Sequence, residues 1–166
     1  MRIEIARHGA DERVGVVRAD GSTARFRIPR KGPISHDIVH YCVESALGMR
    51  NGFWGMVAQG EDPGAIADLV KAGGHASAKR AVVPDASLVE LLQAERLVEC
   101  FEAESWSGGE DDAGLVAMAK AGWKASHVPP LALTAGEIAA IRAKLAEYGR
   151  RWRALADREA LALEWS

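Results

Sequence analysis

Cysteine is nearly absent from this chain: Cys42 and Cys100 are the two in 166 residues. They lie far apart, each inside a helical pattern. That argues against a disulfide framework and for buried, reduced thiols in a cytoplasmic protein. Long apolar runs are missing too. None approaches the roughly 20 residues needed to cross a bilayer. Met1-Arg2-Ile3-Glu4-Ile5 has a strand's alternation, so no secretory leader is expected there. Neither sign of charge is in excess, because 21 Lys and Arg against 23 Asp and Glu leave a formal net charge of −2. Such a balance offers no global field, and neither nucleic acid nor a membrane is expected as a partner. The glycine loops G-x-x-x-x-G-K-[ST] and G-x-G-x-x-G do not occur, nor does a G-x-S-x-G elbow. Nucleotide cradling and elbow-type serine hydrolysis therefore lack their signatures.

What is present is a globular composition, 48% apolar and 27% charged, long enough for a single domain over 1–166. Residues 1–30 read as a β meander. Ile3 and Ile5 alternate with Arg2 and Glu4, and Arg13 to Val17 forms a second candidate. Asp20-Gly21 then turns the chain into Ala24, Phe26 and Ile28, which alternate with Thr23, Arg25 and Arg27. Residues 34–159 read as mainly helical. Ser35 caps a first helix that stops at Gly48, and Phe53 to Ala58 is a short buried one. Asp62-Pro63 starts a third, followed by a surface connection over 73–84 that contains His75. A long helix covers 85–105, another follows Glu110-Asp111-Asp112, and the capping box Thr134-x-x-Glu137 opens the last. Leu161, Leu163 and Trp165 alternate, as a short strand or a continued helix would. The pattern predicts an α+β fold, a three-stranded antiparallel sheet against a bundle of about five helices.

The chemistry gathers on the first helix. His36, His40 and Glu44 recur every four residues, so His40 falls about 40° and Glu44 about 80° round from His36, with Asp37 about 100° round beside Glu44. Val39, Val43, Ala46 and Leu47 fall on the other side of His36 and partly around it, so the histidines sit on an apolar face. Two imidazoles at i and i+4 converge on one point, which suits a divalent transition metal, zinc first. Metalloproteases use this spacing in H-E-x-x-H, with Glu as base. Here Asp37 stands in that place, as base or as the group that orients an imidazole, and Glu44 is a candidate ligand or base. On the long helix, Glu95 and Glu99 form a second i, i+4 pair at the edge of an apolar stripe, and facing carboxylates would complete a site between helices. His36, His40, Glu44, Glu95 and Glu99 are thus the candidate metal ligands, and Asp37 and Glu44 the candidate catalytic groups. The expected activity is metal-activated water attacking a small polar substrate.

His36-Asp37-x-x-His40 resembles the hallmark of a ubiquinone-biosynthesis family, H-D-x-x-H followed by eleven residues and Glu. The position of that Glu is Gly52 here, the likeness covers about one helix, and it implies no function for this chain. The competing reading is a non-enzymatic binding or assembly module with a structural His/Glu cluster. In that reading Ile138, Ile141, Leu145, Tyr148, Trp152 and Leu155 form a heptad seam that joins two copies through the 138–155 helix.

Overall fold

The alternation in residues 1–30 is realised as three antiparallel strands, β1 (Arg2–His8), β2 (Asp11–Val17) and β3 (Thr23–Pro29). The computed structural model describes residues 1–72, 83–108 and 110–166. Ile3 and Ile5 face inward opposite Val16 and Val14, and Val14 in turn lies opposite Phe26. Between β2 and β3, Gly21 takes a φ of 83° and Asp20 Oδ1 accepts the Ser22 N–H at 2.9 Å, the turn chemistry this Asp-Gly pair predicts.

A fourth strand, β4 (Ala160–Glu164), joins the other side of β1, so the order is β3-β2-β1-β4. The expected three-stranded sheet is therefore four-stranded. Leu161 and Leu163 pair with Ile5 and Ile3 and bury beside them. Without β4, β1 would present an open row of backbone groups along an apolar edge.

The described helices are α1 (His36–Leu47), α2 (Phe53–Ala58), α3 (Pro63–Ala72), α4 (Val89–Ser107, after a 3₁₀ turn at Ala86–Leu88), α5 (Asp112–Ala125) and α6 (Ala135–Ala154). Most of the connection predicted over 73–84, with His75, lies outside the described residues. Helix α1 is central. Ile38, Val39, Cys42 and Val43 have no exposed surface, and α4 and α6 pack on either side. Gly48 ends α1 in the left-handed region at φ 65°, its N–H returned to the Glu44 carbonyl. Tyr41 Oη donates to the Glu164 carbonyl at 3.0 Å and ties α1 to β4. On α6, Ile138, Ile141 and Trp152 are buried, and Tyr148 meets Tyr41 edge-on with centroids 5.3 Å apart. The heptad seam thus lies against α1 of the same chain. Cys42 and Cys100 are both buried and unbridged. No described helix is long and apolar enough to cross a membrane.

Because α1 is enclosed from Asp37 to Glu44, the polar side chains of that stretch are taken out of water. Such groups persist only with partners. That requirement builds the site.

Candidate metal centre

One helical turn separates His36 from His40, and their Nε2 atoms lie 3.2 Å apart. Helix α4 passes in the opposite direction, so Glu102 reaches His36 while Glu95 reaches His40. Glu95 Oε1 is 3.5 Å from His40 Nε2. Ligand atoms of His36, His40 and Glu95 all lie within 4.8 Å of one another, and the three residues form a group that can hold a metal ion. The His36–His40 contact is within hydrogen-bond distance and the His40–Glu95 contact is that of an ion pair.

The outer nitrogens are fixed as well. His36 Nδ1 lies 2.9 Å from Glu102 Oε1, and His40 Nδ1 lies 2.8 Å from Glu44 Oε1. Each imidazole is therefore backed by a carboxylate, which orients Nε2 toward the shared point and raises its basicity. Glu44 has no exposed surface. Its two oxygens also accept the N–H groups of Phe53 (3.0 Å) and Trp54 (2.9 Å) at the start of α2, amides that have no partner inside that helix. Gly52 makes this possible, since a Cβ there would lie 2.5 Å from Glu44 Cδ. The position expected to carry Glu in the resemblance is thus filled by the Glu44 carboxylate.

Electrostatics follow from burial. Burial pushes the His40 imidazolium down, but the carboxylates of Glu95 and Glu44 more than reverse this and leave it well above the usual histidine value. Burial raises Glu44 against the pull of His40 and the Trp54 amide. Asp37 is held at about 6 by burial, against the charges of His36 and His40. Its residue is 4% exposed, and Oδ2 has no hydrogen-bond partner.

A further carboxyl comes from the sheet. Glu12 on β2 is 1% exposed and accepts the Ser35 hydroxyl. Ser35 is the N-cap of α1 as expected, but its hydroxyl goes to Glu12 and makes no cap to a first-turn amide. Burial raises Glu12 to about 7, against the lowering effect of that hydroxyl. A carboxyl raised from 4.5 to about 7 on folding keeps its proton in the native state where the unfolded chain has released it. Stability is then lost as pH rises through that window. Urea unfolding of metal-free protein should show a loss of about 2–3 kcal/mol between pH 4.5 and 8 from this group. Glu12→Gln, which retains an acceptor for Ser35, should be flatter by that amount. Equal pH slopes in the two proteins would show that Glu12 ionises without penalty.

A cleft of about 470 Å³ opens over His36, with Glu12, Asp37, Glu99 and Glu102 among its walls. His40 and Glu95 lie behind it, with side chains 2% and 9% exposed against 43% for His36. Of the residues predicted from sequence, the structure groups His36, His40 and Glu95. Glu44 is set behind His40 rather than toward the shared point. Glu99 Oε2 takes Arg96 Nη1 at 2.8 Å and stays on the cleft wall, outside the three-residue group. Asp37 lies close enough to feel the charges of both imidazoles. Sequence reasoning missed the roles of Glu102 and Glu12. Glu102 sits seven residues beyond Glu95, on the same face of α4. Glu12 has the inward parity of Val14 and Val16.

No protein-family model, curated protein or solved structure matches this chain. Its chemistry is read from its own residues.

Proposed function

We propose that this protein binds a divalent transition metal, zinc foremost, through His36, His40 and Glu95, and uses it to hydrolyse a small polar substrate. The observation that carries this reading is the 3.2 and 3.5 Å separations between convergent donors whose outer nitrogens are both backed by carboxylates. Two imidazoles and one carboxylate leave a fourth position open, the donor count of catalytic rather than closed structural zinc sites. A bound ion would supply acidity, bringing the pKa of a coordinated water near neutrality. Asp37, a carboxyl on the cleft wall beside both imidazoles, would take the proton of an attacking water as the water oxygen bonds to the electrophilic carbon. The proton then passes to the leaving group as its bond to that carbon breaks. Glu44 is committed to His40 and two amides, so it positions and does not transfer. The cleft over His36 is the route for substrate.

Chelator-stripped protein titrated with Zn²⁺ against a chromophoric chelator should take up about one equivalent. Glu95→Gln should weaken that binding by more than the roughly 10–100-fold typical of losing an outer-sphere partner. Loaded and stripped protein would be compared on small esters, amides and lactones, with turnover expected in the loaded form alone. Zinc binding without turnover on any of them would retire the hydrolase and leave a metal-binding protein.

A second reading has an observation of its own. Each imidazole nitrogen of the pair already has a partner within the chain, as a structural cluster in a binding or assembly module would. That reading predicts no zinc uptake.

A further inference from the structure

A second cavity, of about 480 Å³, lies where the last turn of α6 meets the end of β1. Its described walls are Arg7, Arg30, Gly32, Pro33, Trp152 and Arg153. Three guanidinium groups from distant parts of the chain thus meet there with no carboxylate among those walls. The fold holds them in place. Arg7 Nη1 donates to the Leu155 carbonyl at 2.8 Å, and its guanidinium lies 5.9 Å from the ring centroid of the buried Trp152. Its other N–H groups have no acceptor among the described residues. Arg30 is anchored through its backbone N–H, which donates to the Ala10 carbonyl at 3.0 Å. Arg153 folds back along α6 over Gly149, where a Cβ would lie 3.3 Å from its Nη1. The glycine leaves the room in which that guanidinium rests.

Neither Arg30 nor Arg153 makes an ion pair among the described residues. Asp157 and Glu12 feel the charge of Arg30, but both are engaged elsewhere, Asp157 by the Gly9 N–H and Arg158, Glu12 by the Ser35 hydroxyl. Like charges around one space repel, and an anion seated among them turns that repulsion into attraction. Guanidinium forks fit the oxygen edges of carboxylate and phosphate alike. A carboxylate brings one such edge and one charge, whereas a phosphate group brings three acceptor oxygens and roughly two charges. Three guanidiniums match the second.

We propose that this cavity binds a phosphate group, free or carried by a small molecule, on Arg7, Arg30 and Arg153. Its volume suits a small ligand, and a net charge of −2 provides no extended field for a polyanion. Gly32 and Pro33 line the cleft over His36 as well, so the two spaces share a wall. The phosphate site stands whether or not the cleft holds a metal.

Chelator-stripped protein would be titrated calorimetrically with inorganic phosphate, glycerol phosphate and acetate at constant ionic strength. Phosphate should bind saturably and about tenfold or more tightly than acetate. Arg153→Gln should weaken phosphate binding about tenfold or more, and Arg153→Lys, which keeps the charge and loses the fork, should fall between. Arg150→Gln removes the same charge from the same helix outside the cavity, so it should change the affinity less than about twofold. Both positions are exposed, and melting curves near the parent's would show that the variants stay folded. Glycerol phosphate binding above phosphate assigns the site to a small monoester, and the reverse order to the free anion. No saturation by either, acetate equal to phosphate, or an equal loss in Arg150→Gln would overturn the proposal and leave a solvated basic surface. A short oligonucleotide binding more tightly than both would overturn it too, in favour of nucleic acid.

Discussion

Glu44→Ala is expected to lower the unfolding free energy of the metal-free protein by about 3–5 kcal/mol. The side chain is fully enclosed, and three donors converge on it: His40 Nδ1 at 2.8 Å, Phe53 N–H at 3.0 Å and Trp54 N–H at 2.9 Å. Alanine leaves all three without an acceptor in a dry site, and each buried orphan costs about 1–3 kcal/mol. Partial collapse around the vacated volume explains why the sum falls short of three full penalties. Gly52→Ala approaches the same contact from the other side. Its Cβ would meet the pinned carboxylate at 2.5 Å, so either α2 or Glu44 must shift, at a cost of about 2–4 kcal/mol. Urea unfolding of the two variants checks both. Losses below about 1 kcal/mol would show that Glu44 does not clamp α1 to α2.

Asp37→Asn is expected to lower turnover of the zinc-loaded protein by about 10²- to 10⁴-fold while zinc affinity stays near the parent's. Asparagine keeps the shape and the acceptor oxygen but cannot take a proton from water. Stability should move the other way. Burial holds the Asp37 carboxyl at about 6 against an ordinary 3.8, so stability declines as pH rises through that interval. Above pH 6 the native protein carries an ionisation cost that the unfolded chain does not. Metal-free Asp37→Asn should therefore be at least as stable as the parent at pH 8, a function-for-stability exchange common at active sites. Single-turnover rates with zinc, set beside melts without it, test the two halves separately. Undiminished turnover would remove Asp37 from the chemistry.

Much of this was legible in the residues. The alternation of Ile3 and Ile5, the Asp20-Gly21 turn, the Gly48 stop and the Thr134/Glu137 capping box are local signals, and local physics sufficed for them. The four-residue recurrence of His36 and His40 on an apolar face pointed to a shared site, and Glu95 to its partner on a second helix. What local reasoning lacked was direction. Nothing in helical spacing says that α4 runs opposite to α1, which is what sets Glu102 against His36. Nor does spacing reveal that α2 turns its free amides onto Glu44, making an orienting group of an expected ligand. Glu12 did carry a signal: a charge with the same parity as Val14 and Val16 falls on the buried face of a strand. Reading β2 from Arg13 onward left it out. The fourth strand depended on β1 having an open edge, a property of the assembled sheet.

The measurement closest to the central claim is elemental analysis of protein purified without a tag, beside its His36→Ala/His40→Ala variant. The account predicts about one equivalent of a transition metal, zinc before others, in the parent and only background in the variant. A parent free of metal even after zinc loading, with a variant markedly less stable than it, would contradict the account and make the histidine pair a structural one.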